Sequence, residues 1–280
     1  MNRQKVVTKM KFKIGFSAEQ TESNNIMSAG GERKTQAEAR RSVVQVYFSQ
    51  RHMELAYYND MFDLKIGDLV YVDGKLEGML GRITDVNYTF KIRVSDYKRV
   101  ISVVDTSING TLYFAGSCFV AFGRDVLPKS RALSWFEAPE ENDEEYAEGS
   151  DDKWFPLENL KALNLRPEIA ERGYEYYNSG CVKYLCLDKT RGYALVEGRE
   201  LYEVEFDYKN GEVGNIVCSC YCSYNCKHEF AVLLQLRSIL NLVEKNYGDD
   251  FKRSGYLMAI NKKTLLNFAV YGKEVGKISL

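Results

Sequence analysis

Residues 218–230 read CSCYCSYNCKHEF, and they gather four of the chain's seven cysteines and one of its two histidines. Thiolate and imidazole groups are ligands for zinc and similar borderline-soft metals, and four of them at close range suit a tetrahedral Zn2+ site. Cys218 and Cys220 stand two apart, so in an extended strand both side chains point to one face. Cys226 and His228 open what reads as a helix, where free N–H groups and the positive end of the dipole favour a thiolate. A strand end and a helix start can therefore close a Cys3His tetrahedron. With all four positions held by protein, no position is left for a catalytic water, so the site reads as structural. Cys222 is an extra thiol in the same loop. The alternative set Cys220, Cys222, Cys226 and His228 leaves only residues 223–225 in the loop, a tighter closure. Redox chemistry at Cys222 is a third reading; it lacks a CxxC in a thioredoxin-like βαβ setting.

The elements around this loop must carry it. Residues 201–208, LYEVEFDY, alternate: Tyr202, Val204, Phe206 and Tyr208 share one face, and Glu203, Glu205 and Asp207 share the other. Asn210-Gly211 signals a hairpin turn, and a returning strand runs from about Val213 into Cys218. A helix is expected from Lys227 to about Val243, with Phe230, Leu233, Leu234, Leu236, Leu240 and Val243 facing a core. Upstream, residues 181–188 and 193–198 read as strands, and Leu157–Leu165 as a short helix. A second helix opens at Pro167 and ends at Gly180. Cys118, Cys181 and Cys186 are expected to be strand or core residues.

The spacing CxC-x5-CxH, the strands before it and the apolar helix after it resemble the SWIM zinc finger, whose pattern is CxC…CxH. The similarity covers roughly residues 165–240. It includes 172-RGYEYYNSGCV-182, a segment that bacterial members often carry ahead of the finger. The resemblance implies a ββα finger, a structural Zn2+ and the ligands Cys218, Cys220, Cys226 and His228. Cys222 departs from the pattern, since many relatives have no ligand there. The family occurs in bacterial chromatin-remodelling-type helicases, plant transposase-derived proteins and eukaryotic signalling proteins. Its members are thought to bind DNA or proteins.

The residues give their own support for a nucleic-acid partner. Lys227 lies between the last two ligands, and Arg191, Arg199 and Lys209 lie in the preceding hairpins. Such cations, beside Tyr221 and Tyr224, suit phosphates and stacked bases. The expected partner is DNA or RNA. A protein-interaction adaptor, with zinc as its staple, is the rival class.

The N-terminal half reads differently. Residues 43–48, 55–59, 64–74, 81–86, 88–94, 99–104 and 111–122 form a series of short strands with turns between them, as in a small barrel. The segments 43-VVQVYF, 64-LKIGDLVYVDG and 78-GMLGRITDV resemble the small β-barrel that opens the primosomal helicase, a DNA-end-binding domain; KOW-like and SH3-like barrels need the same turns. Lys91 and Arg93 are expected on one face of a strand, next to Lys98 and Arg99.

The expected organisation is α+β: a flexible basic arm (1–41), a β-barrel-like domain (42–136), an acidic linker (137–152) and a SWIM domain with C-terminal helices (153–280). The arm holds nine Lys/Arg against four Glu, and the linker nine acids and no base. Without those nine acids the net charge of −1 becomes +8, which suits an anionic partner. No P-loop, GxGxxG or GxSxG motif is present, and His52 beside Arg51 reads as a surface or packing residue. The chain is therefore expected to be non-catalytic, and any helicase would be served in trans. The basic N-terminus has no apolar h-region, and no apolar run is long enough to span a bilayer. A bacterial cytoplasmic location, away from membranes, is the expectation.

Overall fold

The computed structural model describes residues 40–138, 149, 153–222 and 224–270. Most of the basic arm and of the acidic linker lies outside these residues. Among the described residues the chain forms two compact units, one of 40–106 and 130–138, the other of 107–129 with 149 and 153–270. The architecture is α+β, with two antiparallel sheets and few helices.

The first unit holds β1 (Ser42–Phe48), β2 (Met53–Asn59), β3 (Leu69–Val72), β4 (Gly81–Asn87) and β5 (Val100–Val104), in the order β2-β1-β4-β3-β5. Alternation along β1 buries Val44, Val46 and Phe48 against Val70, Val72, Ile83 and Val100. The two edge strands also meet, because Tyr58 bridges Arg99 and its N–H donates to the Lys98 carbonyl at 2.9 Å. His52 is exposed in the turn between β1 and β2.

Two sequence expectations differ here. Residues 88–94 form no strand. The Asn87 side chain accepts the Thr89 N–H at 2.8 Å, a local turn that ends β4, and a single 3-10 turn follows at Val94–Asp96. Lys91 and Arg93 therefore share no strand face. Residues 111–122 do not join this sheet either. They form β6 (Tyr113–Ala115) and β7 (Cys118–Ala121), which belong to the second unit. The physical reason is burial: all four residues of β7 are buried, as an internal strand requires. A short helix, α1 (Lys129–Ser134), leads the chain back.

The second unit is built on an eight-stranded sheet. Its later strands are β8 (Trp154–Pro156), β9 (Val182–Asp188), β10 (Arg191–Glu197), β11 (Leu201–Lys209), β12 (Glu212–Cys218) and β13 (Tyr256–Asn261), and the order is β6-β7-β13-β9-β10-β11-β12-β8. The β11–β12 turn has Asn210 and Gly211 at φ 51° and 86°, the left-handed values that an Asn-Gly hairpin supplies. Between β8 and β9 come a 3-10 turn at Leu160–Leu163, where a short helix was expected, and α2 (Pro167–Asn178), which starts on its proline.

A long helix, α3 (Lys227–Ser254), covers one face of the sheet. Phe230, Leu233, Leu234, Leu236, Leu240 and Val243 lie in one core with Leu185, Leu187, Ala194, Val196, Val204 and Phe206. α3 runs past Val243 because its last turns are held by aromatic rings. Tyr247, where the backbone departs from helical angles, packs on Tyr113 and Phe122 and donates its hydroxyl to the Phe114 carbonyl at 3.1 Å. Gly255, at φ 61°, ends the helix. β13 then enters the sheet with all six residues buried, and α4 (Lys262–Leu265) follows, capped by the Asn261 side chain. Among the described residues no helix is long and apolar enough to cross a membrane.

Candidate metal centre

The cysteine loop lies where β12 hands over to α3. Cys218 is the last residue of β12 and pairs with Val204. The pairing continues one residue further: the Ser219 N–H donates to the Glu203 carbonyl at 2.9 Å, and the Glu203 N–H to Ser219 Oγ at 2.9 Å. Extended backbone thus carries past Cys218, which brings Cys218 and Cys220 to the same side. Cys226 is the N-cap of α3, and its N–H donates to Glu229 Oε2 at 2.8 Å, the reach-back half of a capping box. His228 follows in the first helical turn and is buried.

The ligand atoms of Cys218, Cys220, Cys226 and His228 all lie within 4.8 Å of one another. Zn–S and Zn–N bonds of about 2.3 and 2.0–2.1 Å give tetrahedral edges of roughly 3.8 Å between sulfurs and 3.6 Å between sulfur and nitrogen. The Cys218 Sγ to His228 Nδ1 distance is 3.6 Å, the length of such an edge. The donor set and its spacing therefore fit a four-coordinate metal ion. Cys222 is exposed and is not among the four that converge.

The electrostatics of the protein alone hold the Cys220 and Cys226 thiols protonated, against the thiolate expected at the helix start, and the imidazole neutral. Burial raises the Cys220 thiol to about 12, against a weaker opposing hydrogen bond from the Cys222 backbone. Cys226 is raised further, first by its hydrogen bond with the Cys218 thiol and then by burial. Burial, aided by Lys227 and Arg172, lowers His228 to about 4, which keeps the imidazole neutral and able to ligate. A bound cation supplies the positive charge that lets such thiols ionise.

Aromatic packing sets the histidine ring. Tyr202 stacks on it, with centroids 4.1 Å apart and planes 18° apart, and Tyr176 meets it edge-on at 5.3 Å. His228 Nε2 is buried with no hydrogen-bond partner among the described residues. The ring is held by its neighbours rather than by the carboxylate or carbonyl that often orients a ligating histidine.

The segment 172–180 has a structural role here. Gly173 lets α2 lie against the first turn of α3: a Cβ there would fall 2.6 Å from Phe230 Cδ1 and 3.2 Å from the Lys227 carbonyl oxygen. Tyr174 meets Phe230 edge-on at 5.1 Å, and Tyr176 supports His228 while its ring lies under Lys227 Nζ at 4.8 Å. The loop before α2 is tied in as well. Asn225 Nδ2 donates to the Leu163 carbonyl at 2.9 Å, and the Arg166 guanidinium lies 5.6 Å from the Tyr224 ring.

The four basic residues expected to hold nucleic acid separate into two pairs. Lys227 adjoins His228, and Arg199 lies in the β10–β11 turn, close enough to act on the Tyr202 hydroxyl. Arg191 pairs in register with Asp207, three residues along β11 from Val204, and Lys209 lies five residues along, at the far end of the hairpin. A strand rise of about 3.4 Å per residue puts Lys209 roughly 17 Å from the level of Cys218. Arg166 and Arg172 stand at the metal end instead, a placement the sequence reading missed. Arg172 opens the quoted segment 172–182, and Pro167 at the helix start fixes Arg166 just ahead of it; both were available signals. Tyr221 is 99% exposed and Tyr224 65%, so both rings face solvent at this end.

No family model matches the chain. No solved structure matches it. An uncharacterized protein of Methanocaldococcus jannaschii is 38% identical over 71 residues, 25% of this chain and 30% of that relative. The chain thus spans under a third of the relative's length.

Proposed function

We propose that the chain is a zinc-stapled, non-catalytic nucleic-acid-binding protein of the SWIM type. The observation that carries the reading is the surface around the Cys218–His228 cluster. Arg166, Arg172, Arg199 and Lys227 surround it, and none of them forms an ion pair among the described residues. Cations without an ion-pair partner are available to phosphates, even with Glu200 beside Arg199, and the exposed Tyr221 and Tyr224 offer faces for bases.

Zinc is the ion this donor set favours, because three thiolates and one imidazole within 4.8 Å of one another suit a d10 cation with no geometric preference of its own. When bound, the ion cross-links β12 to α3 and fixes the loop that carries the two tyrosines. Cys218, Cys220, Cys226 and His228 fill its coordination sphere, so the finger holds a surface and performs no reaction. The first unit, whose sheet edges meet at Tyr58 and Arg99, reads as a small barrel that serves as a second contact module. A helicase or similar motor acting beside this chain would supply the energy-using step.

Fluorescence anisotropy with zinc-loaded protein tests the reading. The ligands are single- and double-stranded DNA and RNA, each at two salt concentrations. Micromolar or tighter binding that weakens with salt is expected. No binding to any of the four would replace this reading with the protein-adaptor one.

A further inference from the structure

Beside the metal loop, walled in part by the Asn225–Leu163 and Arg166–Tyr224 contacts, lies a cavity of about 370 Å3. Its apolar lining includes Phe155, Leu165, Ile169 and Ile216, all half-buried, and at its rim stand Arg166 and Tyr224. The volume falls within the range of about 300–1,000 Å3 typical of small-ligand pockets. The charged residues among those lining it are Lys153 and Arg166, both cationic. An apolar floor beneath a tyrosine and an arginine accepts a flat, weakly polar ring whose attached group is anionic.

We infer that this cavity is a subsite for an unpaired base of a single-stranded nucleic acid. It rests on the nucleic-acid reading and narrows it. The base enters between Tyr224 and the floor at Ile216, where burial of its faces and stacking on the tyrosine hold it. Its phosphate lies towards Arg166, an exposed residue. A duplex cannot use the site, because a paired and stacked base has no free face to offer. The wall nearest the metal is set by the loop itself. Asn225, the residue before the ligand Cys226, donates to Leu163, and Tyr224 precedes Asn225. The ion that holds Cys226 thus also fixes one side of the cavity.

The test compares two strands with the same phosphates. Binding of zinc-loaded full-length protein is measured for a six-nucleotide oligothymidylate and for an abasic sugar-phosphate strand of equal length. The thymidylate should bind about tenfold or more tightly, with a similar salt slope. Ile216→Ser should bring the thymidylate close to the abasic affinity while leaving abasic binding unchanged, and Tyr224→Ala should lower the thymidylate affinity by a similar factor. Melting curves identify any variant that has lost its fold, and the wild-type comparison stands without the variants. Equal affinity for the two strands would overturn the base subsite and leave phosphate binding at the finger intact. Failure of both strands to bind would overturn the nucleic-acid reading and the subsite with it.

Discussion

Gly173→Ala separates a helix that merely tolerates glycine from one that depends on it. In isolation, alanine should stabilise α2 by about 0.8–1 kcal/mol, because glycine has greater backbone freedom to lose. Here the added Cβ would lie 2.6 Å from Phe230 Cδ1 and 3.2 Å from both Phe230 Cβ and the Lys227 carbonyl oxygen. Carbon atoms normally approach to about 3.5–4.0 Å, so roughly 1 Å must be recovered by moving a helix or the ring. Phe230 is 5% exposed and has little space to turn into. Overpacking of this kind costs about 1–3 kcal/mol, which exceeds the propensity gain and leaves a net loss of about 1 kcal/mol. The displaced atoms belong to the first turn of α3, which also carries Cys226 and His228. The same substitution should therefore speed metal transfer to a chromophoric chelator. Urea unfolding of the metal-loaded protein reads the first effect and the transfer rate reads the second. A variant as stable as the parent, with unchanged metal transfer, would refute the close approach of α2 and α3.

Two further outcomes are expected. Cys226→Ser should release the metal and loosen the β12–α3 junction, since structural zinc supplies on the order of 10 kcal/mol in finger peptides, whereas Cys222→Ser should retain one metal per chain by native mass spectrometry. Loss of metal from the Cys222 variant would favour the set that includes Cys222. In chelated protein, two buried groups should drive pH dependence in opposite directions. His228, lowered to about 4 by burial, contributes stability that is lost as pH falls from about 6.5 towards 4, because only the unfolded chain takes the proton. Glu229, raised to about 7 by burial, contributes stability that is lost as pH rises from about 4.5 through 7. Thermal melts of Glu229→Gln should therefore fall steeply on acidification, and the parent should change less; a flat profile for Glu229→Gln would contradict the desolvation of His228.

The convergence of Cys218, Cys220, Cys226 and His228 was legible because every cue for it is local. Cysteine spacing, the alternation of residues 201–208, the Asn-Gly turn and the apolar stripe after Lys227 all lie within about forty residues and point the same way. What escaped the sequence was long-range. β7 pairs with β13, some 140 residues apart, and nothing inside CFVA names its partner; only its burial on both faces shows that it needs one. β13 itself was not foreseen, since a six-residue apolar run between helices is equally compatible with either state. The basic residues divided for a similar reason. Composition places Arg191, Arg199, Lys209 and Lys227 in one region of the chain, but strand length sends two of them to the far end of a hairpin. Asn87 shows the reverse case: one side-chain hydrogen bond to Thr89 overrides the β propensity of YTFKIRV and ends the strand.

Paired charge reversals test most directly the claim that the metal end of the second unit holds nucleic acid. Arg172→Glu with Arg199→Glu changes the metal end, and Arg191→Glu with Lys209→Glu changes the far end by the same net charge. The affinity of each zinc-loaded double variant for single-stranded DNA is measured across a salt series. The account predicts that the first pair loses tenfold or more and flattens the salt slope by the equivalent of about two phosphate contacts, while the second stays within about twofold of the parent. Equal losses from both pairs, or a loss from the far end alone, would contradict it.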